Sequence, residues 1–150
     1  VQGAPRRRLE ERLSTMNPQS SSKKILVIDD EPDVVKYLVT LLEDQGYRTV
    51  AASDGKQGLE IMKAEKPDLV CLDITMPGTS GIRFFREAKQ DPALASTPIV
   101  VVTAVTGYGG DPVPFKEFLE SRKQVPPPDA FISKPIERES FLRTVGELLE

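Results

Sequence analysis

The sequence predicts an α/β chain, a doubly wound five-stranded parallel sheet, and three observations carry that expectation. From Lys24 onward, short β-branched runs alternate with segments of helical periodicity, the pattern of a parallel sheet covered by helices on both faces. Five such strand-helix units follow one another without a detectable sequence repeat. Four of the five apolar runs end in a residue suited to phosphate or metal chemistry. Right-handed crossovers bring all strand carboxyl ends to one edge, where ligands of open parallel sheets bind.

Ile25–Ile28 is the first predicted strand. Pro32 opens a helix, since its fixed φ suits the first helical position and its missing N–H is not needed there. Val34, Val35, Leu38, Leu41 and Leu42 follow the i, i+3, i+4, i+7 rule, and Gly46 stops the helix. Arg48–Ala52 is a second, weaker strand. Gly55–Ala64 is a helix with Leu59 and Met62 inward, ended ahead of Pro67 because proline disfavours helical backbone in its predecessor. Leu69–Leu72 is the third strand, followed by the turn Thr75-Met76-Pro77-Gly78 and a helix over Ser80–Gln90 with Ile82 and Phe85 inward. Ile99–Val102 is the fourth strand. A short amphipathic helix is expected over Phe115–Arg122, with Phe115, Phe118 and Leu119 on one face, and Ala130–Ser133 is the fifth strand. Glu137–Leu149 closes the chain as a helix whose stripe is Phe141, Leu142, Val145, Leu148 and Leu149.

Composition narrows the chemistry. At 150 residues the chain suits one domain, and 39% hydrophobic with 29% charged residues excludes a wholly disordered or collagen-like chain. No apolar run approaches the roughly 18 residues of a membrane span, and Val1–Ser22 lacks the apolar core of a signal peptide, so a cytoplasmic protein is expected. Residues 1–24 carry six basic and two acidic side chains and residues 25–150 carry fourteen and twenty-one, which makes the start +4 and the body −7. That positive charge is Arg6, Arg7, Arg8 and Arg12 beside Ser/Gln/Pro-rich sequence, without the interleaved aromatics of a nucleic-acid reader. Residues 1–23 are therefore expected as a flexible leader with no direct nucleic-acid binding, and Met16 is a candidate start. The absence of histidine excludes Ser-His-Asp and Cys-His catalysis, imidazole metal sites and a phosphohistidine made on this chain. The single cysteine, Cys71, lies inside the third apolar run, where a buried structural thiol is expected.

The strand ends carry the informative residues. Ile28 is followed by Asp29 and Asp30, Leu72 by Asp73, Val102 by Thr103, and Ser133 by Lys134. Singly, each has a plainer role: a helix cap for Asp29 or Asp30, a turn former for Asp73, a strand residue for Thr103, a solvated amine for Lys134. Together they place three carboxylates, a hydroxyl and an ammonium at one sheet edge. Like charges so close repel unless a cation joins them, and an all-oxygen set with room for water suits Mg²⁺.

The motifs Ile-Leu-Val-Ile-Asp-Asp-Glu-Pro (25–32), Leu-Asp-Ile-Thr-Met-Pro-Gly-Thr-Ser-Gly (72–81), Val-Thr-Ala (102–104) and Phe-Ile-Ser-Lys-Pro-Ile (131–136) extend the pattern. With them, the chain from Lys23 to Glu150 resembles the receiver domains of two-component response regulators. The resemblance implies a flavodoxin-like (βα)5 fold with strand order 2-1-3-4-5. It further implies Asp73 as phosphoacceptor, Mg²⁺ held by Asp29, Asp30, Asp73 and the backbone carbonyl of Thr75, and phosphoryl oxygens bound by Thr103 and Lys134. Phe131 matches the family's aromatic switch position, paired in that role with Thr103, and Lys134-Pro135 matches a pair that is often cis. The implied partners are a sensor histidine kinase or phosphotransfer protein as donor and a downstream protein target reading the 104–136 face. A phosphorylation-dependent homodimer is among the allowed arrangements.

The sequence departs from the resemblance in one place: 26 residues separate Thr103 from Ala130, more than a short helix with two ordinary connections requires. The expected organisation is thus a leader over 1–23 and a receiver domain over 24–150 with an extended segment at 104–129. Gly107, Gly109 and Gly110 precede the helix expected in that segment and Pro126-Pro127-Pro128 follows it. Two alternatives remain, a Mg²⁺-dependent aspartate-nucleophile phosphohydrolase and a receiver-like scaffold that is never phosphorylated. The first normally places a second acid two residues after its nucleophile, where this chain has Thr75. A nucleotide- or flavin-binding module of the same fold is disfavoured because Asp29-Asp30-Glu31 would repel phosphate.

Overall fold

The computed structural model describes residues 23–74, 80–104 and 128–150, with the side chains of Ser80, Thr103 and Ala104 excepted. The leader up to residue 22, the Thr75–Gly78 turn, the expected Phe115–Arg122 helix and residues 105–127 of the extended segment lie outside the described residues. The elements run β1 (Lys24–Ile28), α1 (Pro32–Asp44), β2 (Arg48–Ala52), α2 (Gly55–Glu65), β3 (Leu69–Asp73), α3 (Ser80–Gln90), β4 (Ile99–Ala104), β5 (Ala130–Lys134) and α4 (Arg138–Leu149). All strand pairs are parallel, as the sequence pattern predicts, and the sheet order is β2-β1-β3-β4-β5, the order that the resemblance implies.

Because helices cover both faces, the strands are continuous apolar runs whose alternate residues supply two cores. Leu26, Ile28, Val70, Leu72, Ile99 and Val101 pack with Met62 of α2 and Phe84, Phe85 and Ala88 of α3. Ile25, Val27, Leu69, Cys71 and Val100 pack with Leu38 and Leu42 of α1 and with Phe141 and Val145 of α4. The α3 stripe differs from the expectation. Phe84 and Phe85 are both fully buried, while Ile82 is only partly buried against the same core. Adjacent helical residues point about 100° apart, so α3 buries a wide apolar sector and not a narrow seam.

The helix ends follow local chemistry. Asp54 caps α2 by accepting from the Gln57 N–H at 2.8 Å, and Glu137 caps α4 by accepting from Glu139 and Ser140. Gly46 takes φ 92° after α1, a left-handed conformation that costs a glycine little. Lys66 ends α2 with φ 50° and donates its N–H to the Met62 carbonyl. Pro67 thus closes the helix through a left-handed cap on a residue with a side chain.

At the amino end of β5, Asp129 exchanges two bonds with Ile99, its Oδ2 accepting from the Ile99 N–H at 2.8 Å and its own N–H donating to the Ile99 carbonyl at 3.0 Å. The nearly buried Lys89 ammonium donates to the same Oδ2 and to the carbonyls of Ala95 and Thr97. The exit of the extended segment is therefore pinned to the sheet where β5 begins. No helix among the described residues is long and apolar enough to cross a membrane.

Candidate functional site

Backbone ladders fix the positions of the two buried carboxylates. Ile28 of β1 pairs with Leu72 of β3, which puts the following residues, Asp29 and Asp73, side by side at the carboxyl edge. The Asp29 N–H donates to the Ala52 carbonyl at 3.1 Å and the Ile74 N–H to the Val102 carbonyl at 3.2 Å, so pairing continues past the ends of β1 and β3. On the other side of β3, Asp73 pairs with Val102, and Ala104 pairs with Lys134. Register alone thus brings β1, β3, β4 and β5 to one site. Gly81 lets α3 close over it, because a Cβ there would lie 2.9 Å from the Asp73 carbonyl oxygen and 3.0 Å from Ile74 Cα.

Asp29 and Asp73 are each only 2% exposed, whereas Asp30 is exposed. Each of the three offers a carboxylate oxygen, and those oxygens all lie within 4.8 Å of one another. Burial, joined by the charge of Asp73, pushes the Asp29 carboxyl up from 3.8 to about 6, against the opposing pull of the Glu31 N–H and Lys134. Two desolvated carboxylates beside a third exposed one are an electrostatically costly arrangement that a dication would relieve. The donor set fits a hard, oxygen-seeking ion such as Mg²⁺.

Lys134 reaches in from the end of β5. Its ammonium lies 3.3 Å from Asp29 Oδ2, 3.5 Å from Asp73 Oδ2 and 3.3 Å from Glu31 Oε1. Burial pulls its pKa down, but Asp73, Asp29 and Glu31 outweigh burial and hold it above the ordinary lysine value. The Lys134-Pro135 bond is cis. Cys71, one residue inside β3 from Leu72, is buried and its thiol is pushed up to about 12 by desolvation, which removes it as a thiolate nucleophile near neutrality.

The structure therefore brings Asp29, Asp30, Asp73 and Lys134 together. Thr103 is placed by its backbone, opposite Ser133, while its hydroxyl and the Thr75 carbonyl lie outside the described residues. Phe131, opposite Val101, is partly buried against the α2–α3 core. Neither Asp29 nor Asp30 caps α1, for which Glu31 is the cap residue without a side-chain bond. Asp29 Oδ1 instead accepts from the Glu31 N–H at 2.9 Å, an Asx-type turn that leads the chain into the helix. Glu31 itself is the residue sequence reasoning passed over. The only hint was a third acid beside Pro32, whose contact with Lys134 spans 103 positions and is invisible to local pattern.

Residues 25–111 match the family described as the response regulator receiver domain. Asp29, Asp30, Asp73 and Thr103 fall inside that match, and Phe131 and Lys134 fall beyond it, brought to the site by β5. The chain is similar to protein PilH of Pseudomonas aeruginosa, 30% identical over 84% of this chain and 97% of PilH. It is 37% identical to protein Rrf1 of Nitratidesulfovibrio vulgaris over 56% of this chain, a stretch that spans 61% of Rrf1. Among solved structures, the signal receiver domain of a signal transduction histidine kinase from Syntrophus aciditrophicus superposes with a TM-score of 0.72 at 28% identity, covering 85% of this chain and 90% of that one.

Proposed function

The chain belongs to the response regulator receiver domain family, a signalling family and not a classical enzyme family, and from that premise we propose that it takes a phosphoryl group on Asp73 from a sensor histidine kinase or phosphotransfer protein. The observation that carries this reading is the joint placement of Asp73 within reach of Asp29 and Asp30 oxygens and 3.5 Å from the Lys134 ammonium.

Asp73 has the chemistry of an acceptor: its carboxylate oxygen attacks phosphorus, an O–P bond forms, and the P–N bond to the donor's imidazole breaks. The imidazole leaves with the bonding electron pair and takes a proton from solvent. The product is an acyl phosphate on Asp73. Asp29, Asp30, Asp73 and the Thr75 carbonyl would hold Mg²⁺. When bound, the ion supplies electrostatic stabilisation of phosphoryl oxygens that carry the charge of the transition state. Lys134 offers an ammonium to the same oxygens from the β5 side, and Thr103, at the end of β4, offers its hydroxyl. The buried setting of Asp29 and Asp73 strengthens these charge interactions relative to water.

The added group brings up to about two negative charges into a pocket already rich in carboxylates. Lys134 and Thr103 are drawn toward it, and Phe131, three residues before Lys134 on β5, is the aromatic that responds. The output surface is the 104–136 face, read by a downstream protein or a second copy of the chain, in the cytoplasm. The test is intact-mass measurement after incubation with acetyl phosphate. One added phosphoryl group is expected with Mg²⁺, and none with a chelator in its place. A phosphoryl gain indifferent to Mg²⁺, or none under any condition, overturns the proposal.

A further inference from the structure

We infer that Glu31 is a positioning residue that competes with the phosphoryl group for Lys134 and so sets how readily the pocket accepts an anion. The inference rests on the phosphoacceptor reading of the site and adds to it a residue that the reading does not use. An ammonium has three donors, and here three carboxylates share them, at 3.3 Å (Asp29), 3.3 Å (Glu31) and 3.5 Å (Asp73). These partners are not equivalent. Asp29 and Asp73 belong to the group of three oxygens that would hold a cation, and Glu31 does not. A cation among those oxygens offsets the charge by which Asp29 and Asp73 attract Lys134. Glu31 keeps its full charge and becomes the principal partner of the ammonium.

The local structure suits that role. Glu31 is the cap residue of α1, and its backbone is held on both sides: its N–H donates to Asp29 Oδ1, and its carbonyl accepts from the Val34 and Val35 N–H groups. The fixed backbone aims the side chain at Lys134. The side chain itself is 62% exposed, against 15% for Lys134, so it can return to water at little cost when the ammonium leaves. A phosphoryl oxygen on Asp73 and the Glu31 carboxylate pull the Lys134 ammonium in different directions, so the contact with Glu31 opposes the movement toward the anion. Removing that contact should favour the anion-bound state.

The test is calorimetric titration of Mg²⁺ alone, and of beryllofluoride at saturating Mg²⁺, into the parent chain, Glu31→Gln and Asp33→Asn. Asp33 is exposed in the first turn of α1, so its substitution removes the same charge two residues away. Glu31→Gln should bind beryllofluoride about two- to fivefold tighter than the parent, the size expected of one partly exposed ion pair. It should bind Mg²⁺ no more tightly, and Asp33→Asn should leave beryllofluoride affinity at the parent value. Unchanged or weaker beryllofluoride binding by Glu31→Gln overturns the inference. Equal tightening in Asp33→Asn, or tightening of Mg²⁺ itself, also overturns it, by reducing the effect to general charge. A parent chain that binds no beryllofluoride in Mg²⁺ sinks the phosphoacceptor reading and this inference with it, an outcome distinct from saturable binding that ignores Glu31.

Discussion

Asp29 is under two opposed demands. Its place at the end of β1 removes it from water, which favours the protonated acid, while holding a dication requires the carboxylate. Its carboxyl is raised from 3.8 to about 6 by burial and by Asp73. A carboxyl raised on folding contributes stability below its unfolded pKa and loses it as pH rises through the folded value, so the stability at issue disappears between about pH 4 and 6. Asp29→Asn abolishes that loss and keeps an oxygen to accept from the Glu31 N–H. Without Mg²⁺ the variant should be more stable than the parent by roughly 1–3 kcal/mol at pH 7 and indistinguishable from it near pH 4. Thermal melts at the two pH values measure the difference, and a gap that is the same at both contradicts the assignment. Asp30 separates the two demands, because it is exposed and contributes to the oxygen cluster without sharing the desolvation. Asp30→Ala should weaken Mg²⁺ binding by about tenfold or more, ~1.4 kcal/mol, while the metal-free melting temperature holds or rises. Titration with Mg²⁺ followed by calorimetry decides it, and unchanged affinity would remove Asp30 from the site.

At the scale of elements, two glycines make opposite predictions. Gly81 opens α3 against the backbone of Asp73 and Ile74, atoms that cannot rotate aside, so Gly81→Ala must push the helix away from the site. A loss of roughly 1–3 kcal/mol and slower phosphorylation are expected. Gly146 in α4 has nothing within 4 Å of a would-be Cβ. Gly146→Ala should stabilise the fold by about 0.5–1 kcal/mol through helix propensity and leave phosphorylation unchanged. Denaturant unfolding of both variants tests the pair. The elements themselves were legible because each signal was local: β2 and α3 have the bounds expected from sequence, and β1, β3, β4 and β5 differ by one or two residues. What sequence pattern missed was non-local or conformational. Phe84 is buried because α3 is sandwiched broadly enough to cover two adjacent ring positions, and the left-handed cap at Lys66 escaped the pattern because Pro67 disfavours helical backbone at Lys66 without specifying what replaces it.

Over the whole molecule, the sheet turns scattered residues into one site. Asp29, Asp73 and Lys134 were identified from their places at strand ends, since a parallel sheet gathers such ends at one edge. Glu31 was not, because its contact depends on how far a lysine reaches from β5. The segment between β4 and β5 begins where Ala104 pairs with Lys134 and returns where Asp129 is clamped to Ile99, so both of its ends are held across the β4–β5 pair. The central claim is that Asp73 is the acceptor, and the most direct measurement is intact-mass and peptide mapping of the parent chain and Asp73→Asn after acetyl phosphate treatment in Mg²⁺. The account predicts one acid-labile phosphoryl group in the parent, located on the peptide containing Asp73, and none in the variant. An equal gain of phosphoryl at an equal rate in Asp73→Asn would contradict it.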